Sequence, residues 1–139
     1  MNQDFNQKIA IVVREDLPSW QVMNTVAHVS GYLGNKITTF LSDENFVTSD
    51  EQNHPRNSQY AIIILKNTEK GLRKFMRRVR ESKLLYHGFI REMIETTDDS
   101  EIQQILSNKR DDEIEYLGIG IFGPIERVNE LTQGMSLWK

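Results

Sequence analysis

The sequence predicts an α/β fold, a three-layer α/β/α sandwich built on a mixed sheet of four or five strands, and three observations lead there. Apolar, β-branched runs of strand length recur along the chain, and segments with helical periodicity lie between them. Strands that alternate with helices pack as a sheet covered on both faces. A length of 139 residues supports one sizeable core and not two, so residues 1–139 read as one domain.

Lys8 to Arg14 is the first strand, nearly continuous in its apolar character, as a strand covered on both faces should be. After Pro18, with Ser19 as N-cap, a helix is expected from Trp20 to Leu33, closed by Gly34 and Asn35. At 100° per residue Met23, Val26, Ala27, Ser30 and Leu33 fall on one side of it, and Gln21, Asn24, His28 and Gly31 fall together on another. Thr38 to Leu41 and Phe46 to Thr48 pattern as a small hairpin, followed by a polar loop to Ser58.

Tyr60 to Lys66 is the second main strand, and Asn67 is placed to cap a helix from Thr68 to Ser82 with Leu72, Phe75, Met76 and Val79 as its buried stripe. Leu84 to Met93 reads as a third strand with Gly88 at a bulge, and Asp98 to Ser100 as the cap of a helix from Glu101 to Leu106. Ile114 to Phe122 is the fourth main strand. Pro124 then opens a helix that stops at Gly134, with Val128 and Leu131 facing the core and Met135 to Trp138 adding a short edge strand.

Bulk properties narrow the functional classes. With 38% hydrophobic and 27% charged residues and no apolar run near membrane-spanning length, the chain reads as a cytoplasmic protein without a membrane partner. The N-terminus has neither the basic nor the apolar segment of a secretory signal. No cysteine is present, and His28, His54 and His87 lack metal-ligand spacing, so neither a metal nor another cofactor is expected. The net charge of −3 conceals a segment, Lys70 to Lys83, with seven basic residues and one acid. Arg73, Lys74, Arg77 and Arg78 run along one helical stripe there, which is either a solvated face or a surface for phosphate.

Gly118 to Gly123 matches G-x-G-x-x-G between a strand and a helix, yet only 16 residues follow it, too few for the further βαβ unit of a dinucleotide fold. The better use of Gly118 and Gly120 is to clear one strand face for the close approach of a helix.

Leu117-Gly118-Ile119-Gly120 with Gly123-Pro124, and Val12-Val13-Arg14-x-Asp16-Leu17 near the other end, resemble two segments of the type II peptidyl-tRNA hydrolases. Glu15 to Pro18, Ile90 to Met93 and the Gly123-Pro124 helix are more similar still to an uncharacterised bacterial family, a domain of unknown function related to those hydrolases. The resemblance implies their α/β sandwich. It also implies a site in which His28 matches the helical histidine, Glu92 stands for an aspartate and Thr96 lies near a threonine. The lysine- and glycine-rich segment that precedes the histidine in the hydrolases is replaced here by Pro18 to Thr25, without lysine or glycine.

The functional expectation is a binding protein with hydrolase chemistry lost or altered, holding an anionic or nucleotide-like ligand near Asn24, His28 and Glu92. Asp16, Gln21 and Thr96 border that site, and Arg73, Arg77 and Arg78 steer phosphate, with tRNA among the partners considered. Two alternatives accompany it: an active peptidyl-tRNA or related ester hydrolase in which His28 and Glu92 activate water, and a homodimeric interaction module.

Overall fold

The computed structural model describes residues 3–139. A five-stranded mixed sheet forms its centre, in the order β5-β6-β1-β4-β7. β1 is Gln7–Arg14, β4 Ala61–Asn67, β5 Leu85–Ile90, β6 Tyr116–Pro124 and β7 Ser136–Leu137, while β2 (Asn45–Val47) and β3 (Asn53–Pro55) form a separate hairpin. β1 and β4 are parallel, and β6 runs antiparallel to both β1 and β5. The carboxyl ends of β1, β4 and β5 therefore share one edge, where ligands gather in open α/β sheets.

The strand period of two sorts the core. Ile9, Ile11 and Val13 pack beneath helix α1 (Ser19–Lys36), whereas Ala10 and Val12 pack beneath α2 (Glu69–Ser82) and the helix after β6, Ile125–Leu131. The three layers predicted from the sequence follow from this alternation.

Close packing of α1 depends on two glycines. A Cβ on Gly118 would lie 2.5 Å from Thr25 Cγ2, and one on Gly120 would lie 2.3 Å from Val29 Cγ1, so both positions are open because the helix fills them. This contact sets the core face of α1. The buried residues are Val22, Thr25, Val29 and Leu33, while Met23 is 64% exposed and Ala27 is exposed. Thr25 was missed as a core residue because its hydroxyl is polar, but Oγ1 donates to the Gln21 carbonyl at 2.7 Å and is satisfied within the helix.

Other boundaries also shift. Ser19 is the first residue of α1 and Pro18 its N-cap, and the helix continues through Gly34 to Lys36. Thr68, not Asn67, caps α2 by accepting the Gly71 N–H. The hairpin pairs residues 45–47 with 53–55 instead of with 38–41. β5 stops at Ile90 and passes directly into α3 (Arg91–Glu95), followed by α4 (Asp99–Ser107). The sheet irregularity falls between Phe89 and Ile90, not at Gly88. β7 is the expected short edge strand, antiparallel to β4.

Candidate functional site

A cleft of about 600 Å³ opens beside the carboxyl half of β5, walled by the first half of α1 on one side and by α3 and α4 on the other. β5 supplies its floor. His87 and Phe89 alternate with Gly88 and so point to the α1 face, where each receives a ring from the helix. His28 stacks on Phe89 with centroids 4.9 Å apart and planes at 15°, and Tyr32 stacks on His87 at 4.3 Å and 17°. His28 and Tyr32 are one helical turn apart, so the helical repeat meets the strand repeat in two successive ring pairs. Trp20 and Asn24 continue the same helix face towards the cleft mouth, and Ile102, Gln103 and Leu106 face them from α4.

The chemistry of the lining is apolar and aromatic with a few hydrogen-bonding groups. Asn24, His28, His87, Thr97 and Gln103 make no side-chain hydrogen bond to another described residue and are available to a ligand. Thr96 also lines the cleft, but its Oγ1 already donates to Glu101 Oε2 at 2.8 Å. Among the described residues no lysine or arginine lines the cleft, and Asp99 is the one carboxylate that does.

Burial, reinforced by the charge of nearby His28, lowers the pKa of His87 below the ordinary histidine value. In the unfolded chain the same imidazole titrates near 6.5. The stability gained from a neutral His87 is therefore complete above about pH 6.5 and is lost as pH falls through that value towards the folded-state pKa. Urea midpoints at pH 7.5 and 5.5 are expected to separate more in the wild type than in His87→Gln.

The structure gathers three of the residues predicted for the site, Asn24, His28 and Thr96, and places the others elsewhere. Glu92 lines no part of the cleft. It is 5% exposed, its Oε1 accepts from Lys109 Nζ at 2.6 Å, and its Oε2 is buried without a partner. Asp16 and Gln21 belong to a charged cluster at the shared carboxyl edge of the sheet. Arg14 donates to both carboxylate oxygens of Asp16 and to Glu115, while Arg91 donates to Glu115 at 3.1 and 3.2 Å and to Gln21 Oε1 at 3.1 Å. Hydrogen bonds from Arg91 and then Arg14 hold Glu115 below the usual carboxylate range, and Arg14 does the same for Asp16.

Arg73, Arg77 and Arg78 sit on α2, across the sheet from the cleft. Arg73 pairs with Glu69 at 2.9 Å, Arg78 donates to the Glu130 and Leu131 carbonyls, and Arg77 is exposed. α1 and α2 cover opposite faces of the sheet, so these arginines lie on the other side of it from His28.

Sequence reasoning missed His87, Phe89, Trp20 and the α4 residues. The signal for the first two was present, since i and i+2 on a strand share a face, but no helix could be assigned to that face without the strand order.

Residues 7–139 match the family described as a protein of unknown function, DUF2000. The chain belongs to the DUF2000 family. Comparison with curated proteins finds no match. Among solved structures, a protein of unknown function from Agrobacterium tumefaciens strain C58 superposes with a TM-score of 0.87 at 24% identity, covering 98% of this chain and 100% of the other. At that identity the likeness establishes the fold of this DUF2000 protein. Neither match links it to a peptidyl-tRNA hydrolase. No helix of the described residues is long and apolar enough to cross a membrane, and no three metal-ligating side chains among them gather.

Proposed function

We propose that this DUF2000 protein binds a small organic molecule and that the ligand presents a neutral planar ring to the cleft between α1, β5 and α4. The observation that carries the reading is the stacking of His28 on Phe89 beside the Tyr32–His87 pair, over a lining that among the described residues has no lysine or arginine. A ring in such a cleft is held by apolar contact and oriented by a few hydrogen bonds, here from Asn24, Gln103 and the two imidazoles. A nucleobase satisfies this description, but an anionic group would meet no cation in the cleft.

Binding is favoured over ester hydrolysis because a water-activating histidine needs a partner to orient it. Neither His28 nor His87 hydrogen-bonds a carboxylate among the described residues, and Lys109 engages Glu92 outside the cleft.

Saturation-transfer NMR with quinoline as the probe tests the reading. The wild type is expected to bind it, and Asn24→Trp, which fills the cleft from a half-buried position on the helix surface, is expected to lose the signal at unchanged thermal stability. Equal signals from both proteins would reject the cleft as the site.

A further inference from the structure

On the opposite face of β5 lies a second cleft, of about 350 Å³, and it shares two lining residues with the first, Met93 and Leu106. Met93 packs against both core clusters, so its side chain stands at the end of the sheet where the two faces meet. Methionine is unbranched and readily changes rotamer, which makes it a soft partition. Above the partition lies α4, a nine-residue helix with no buried residue. Its Ile102 and Leu106 are only partly covered, although they form the apolar side of an amphipathic helix.

The far wall of the second cleft has a different character from the first. Met76, Ile90 and Ile114 give it an apolar floor, and Lys109 lines it with an ammonium group. One hydrogen of that group goes to Glu92 Oε1; an ammonium carries three, and Lys109 Nζ makes no other hydrogen bond to a described residue. Arg80 lines the same cleft, but Asp111 and the Tyr116 hydroxyl already occupy it.

We infer that the two clefts form one bipartite site for an aryl-alkyl carboxylate. The ring lies in the first cleft, the alkyl arm passes Met93 and Leu106 beneath α4, and the carboxylate accepts the free hydrogens of Lys109. This inference rests on the ring-binding reading of the first cleft and extends it to the ligand's tail and charge. It also places the anionic end expected from the sequence at Lys109 instead of at the arginine stripe of α2.

A graded series tests it: 3-phenylpropionate, 5-phenylpentanoate and 7-phenylheptanoate, titrated by protein-observed NMR at constant salt. Once the arm is long enough to pass Met93, affinity is expected to rise about fourfold for each added methylene buried. The longer acids should then shift amides on both faces of β5. Lys109→Gln should remove the advantage of 7-phenylheptanoate over the corresponding alcohol. Because that substitution also leaves Glu92 without its cation, Leu106→Trp serves as a second variant. It should block the passage and abolish the rise in affinity with chain length, whatever it does to the affinity of the shortest acid, because Leu106 also lines the first cleft.

If 3-phenylpropionate shifts His28 and His87 while longer acids bind no tighter, the bipartite site is overturned and the ring site stands. If no member of the series shifts the first cleft, the ring-binding reading fails and the extension fails with it. Length dependence that survives both Lys109→Gln and Leu106→Trp would place the tail elsewhere and would also overturn the inference.

Discussion

Gly120→Val is expected to destabilise the protein by about 3 kcal/mol, at the upper end of what overpacking a core costs. The cause is geometric. The first added carbon alone would stand 2.3 Å from Val29 Cγ1 and 2.9 Å from Leu33 Cδ1, both fully buried on α1. Gly120 pairs with Ile11 at the centre of the sheet, so neither strand nor helix can retreat without opening the core. For a chain of this size such a loss lowers the melting temperature by about 10 °C. Val29→Ala in the same chain should recover part of it, leaving an interaction energy of about 1–2 kcal/mol in a double-mutant cycle followed by urea unfolding. Strictly additive effects would mean that α1 does not fill the space above the glycine.

Glu115→Ala should follow closely, at about 2–3 kcal/mol, by leaving two largely buried guanidinium groups without their shared carboxylate. Arg14 and Arg91 are 13% and 21% exposed and Glu115 is 32% exposed, so the figure is set below that for a fully buried ion pair. The contrast is Asp112→Ala. Its partner Arg110 is 83% exposed, and a change within about 0.5 kcal/mol is expected.

The pH dependence has a definite sign. Glu115 titrates lower in the folded protein than the usual 4.5, so its stabilisation is present above that value and is lost as pH falls through the folded-state pKa. Urea unfolding between pH 6 and pH 3 should therefore show a shallower acid loss in Glu115→Ala than in the wild type.

These two residues illustrate how much of the fold was legible in the sequence. The use of Gly118 and Gly120 could be read from their spacing on a strand, because only a helix or backbone gains from two missing side chains on one face. Their partners could not be read, since hydrophobicity ranks Met23 above Thr25, and the helix turned so that the β-branched residues met the glycines. The α/β class and the main strands follow from apolar runs and caps, which are local. Strand order is not local, and with it went the position of His87 and Phe89 under α1.

The candidate site divides the same way. Asn24 and His28 line one cleft because one helix face carries both, which their spacing already shows. Glu92 was assigned to them from strand-end resemblance, but β5 ends at Ile90, and the helical turn that follows delivers Glu92 to Lys109 instead. The arginines of α2 were recognised as a stripe, but their distance from His28 is a property of the layers, which the stripe itself does not encode.

A planar ring seated in the cleft walled by α1, β5 and α4 should perturb the residues around it. A two-dimensional amide NMR titration with quinoline tests it most directly, because every backbone position reports at once. Saturable shifts confined to residues 20–28, 87–97 and 102–106 are expected, with the α2 helix silent. Shifts centred on α2, or none at millimolar quinoline, would contradict it.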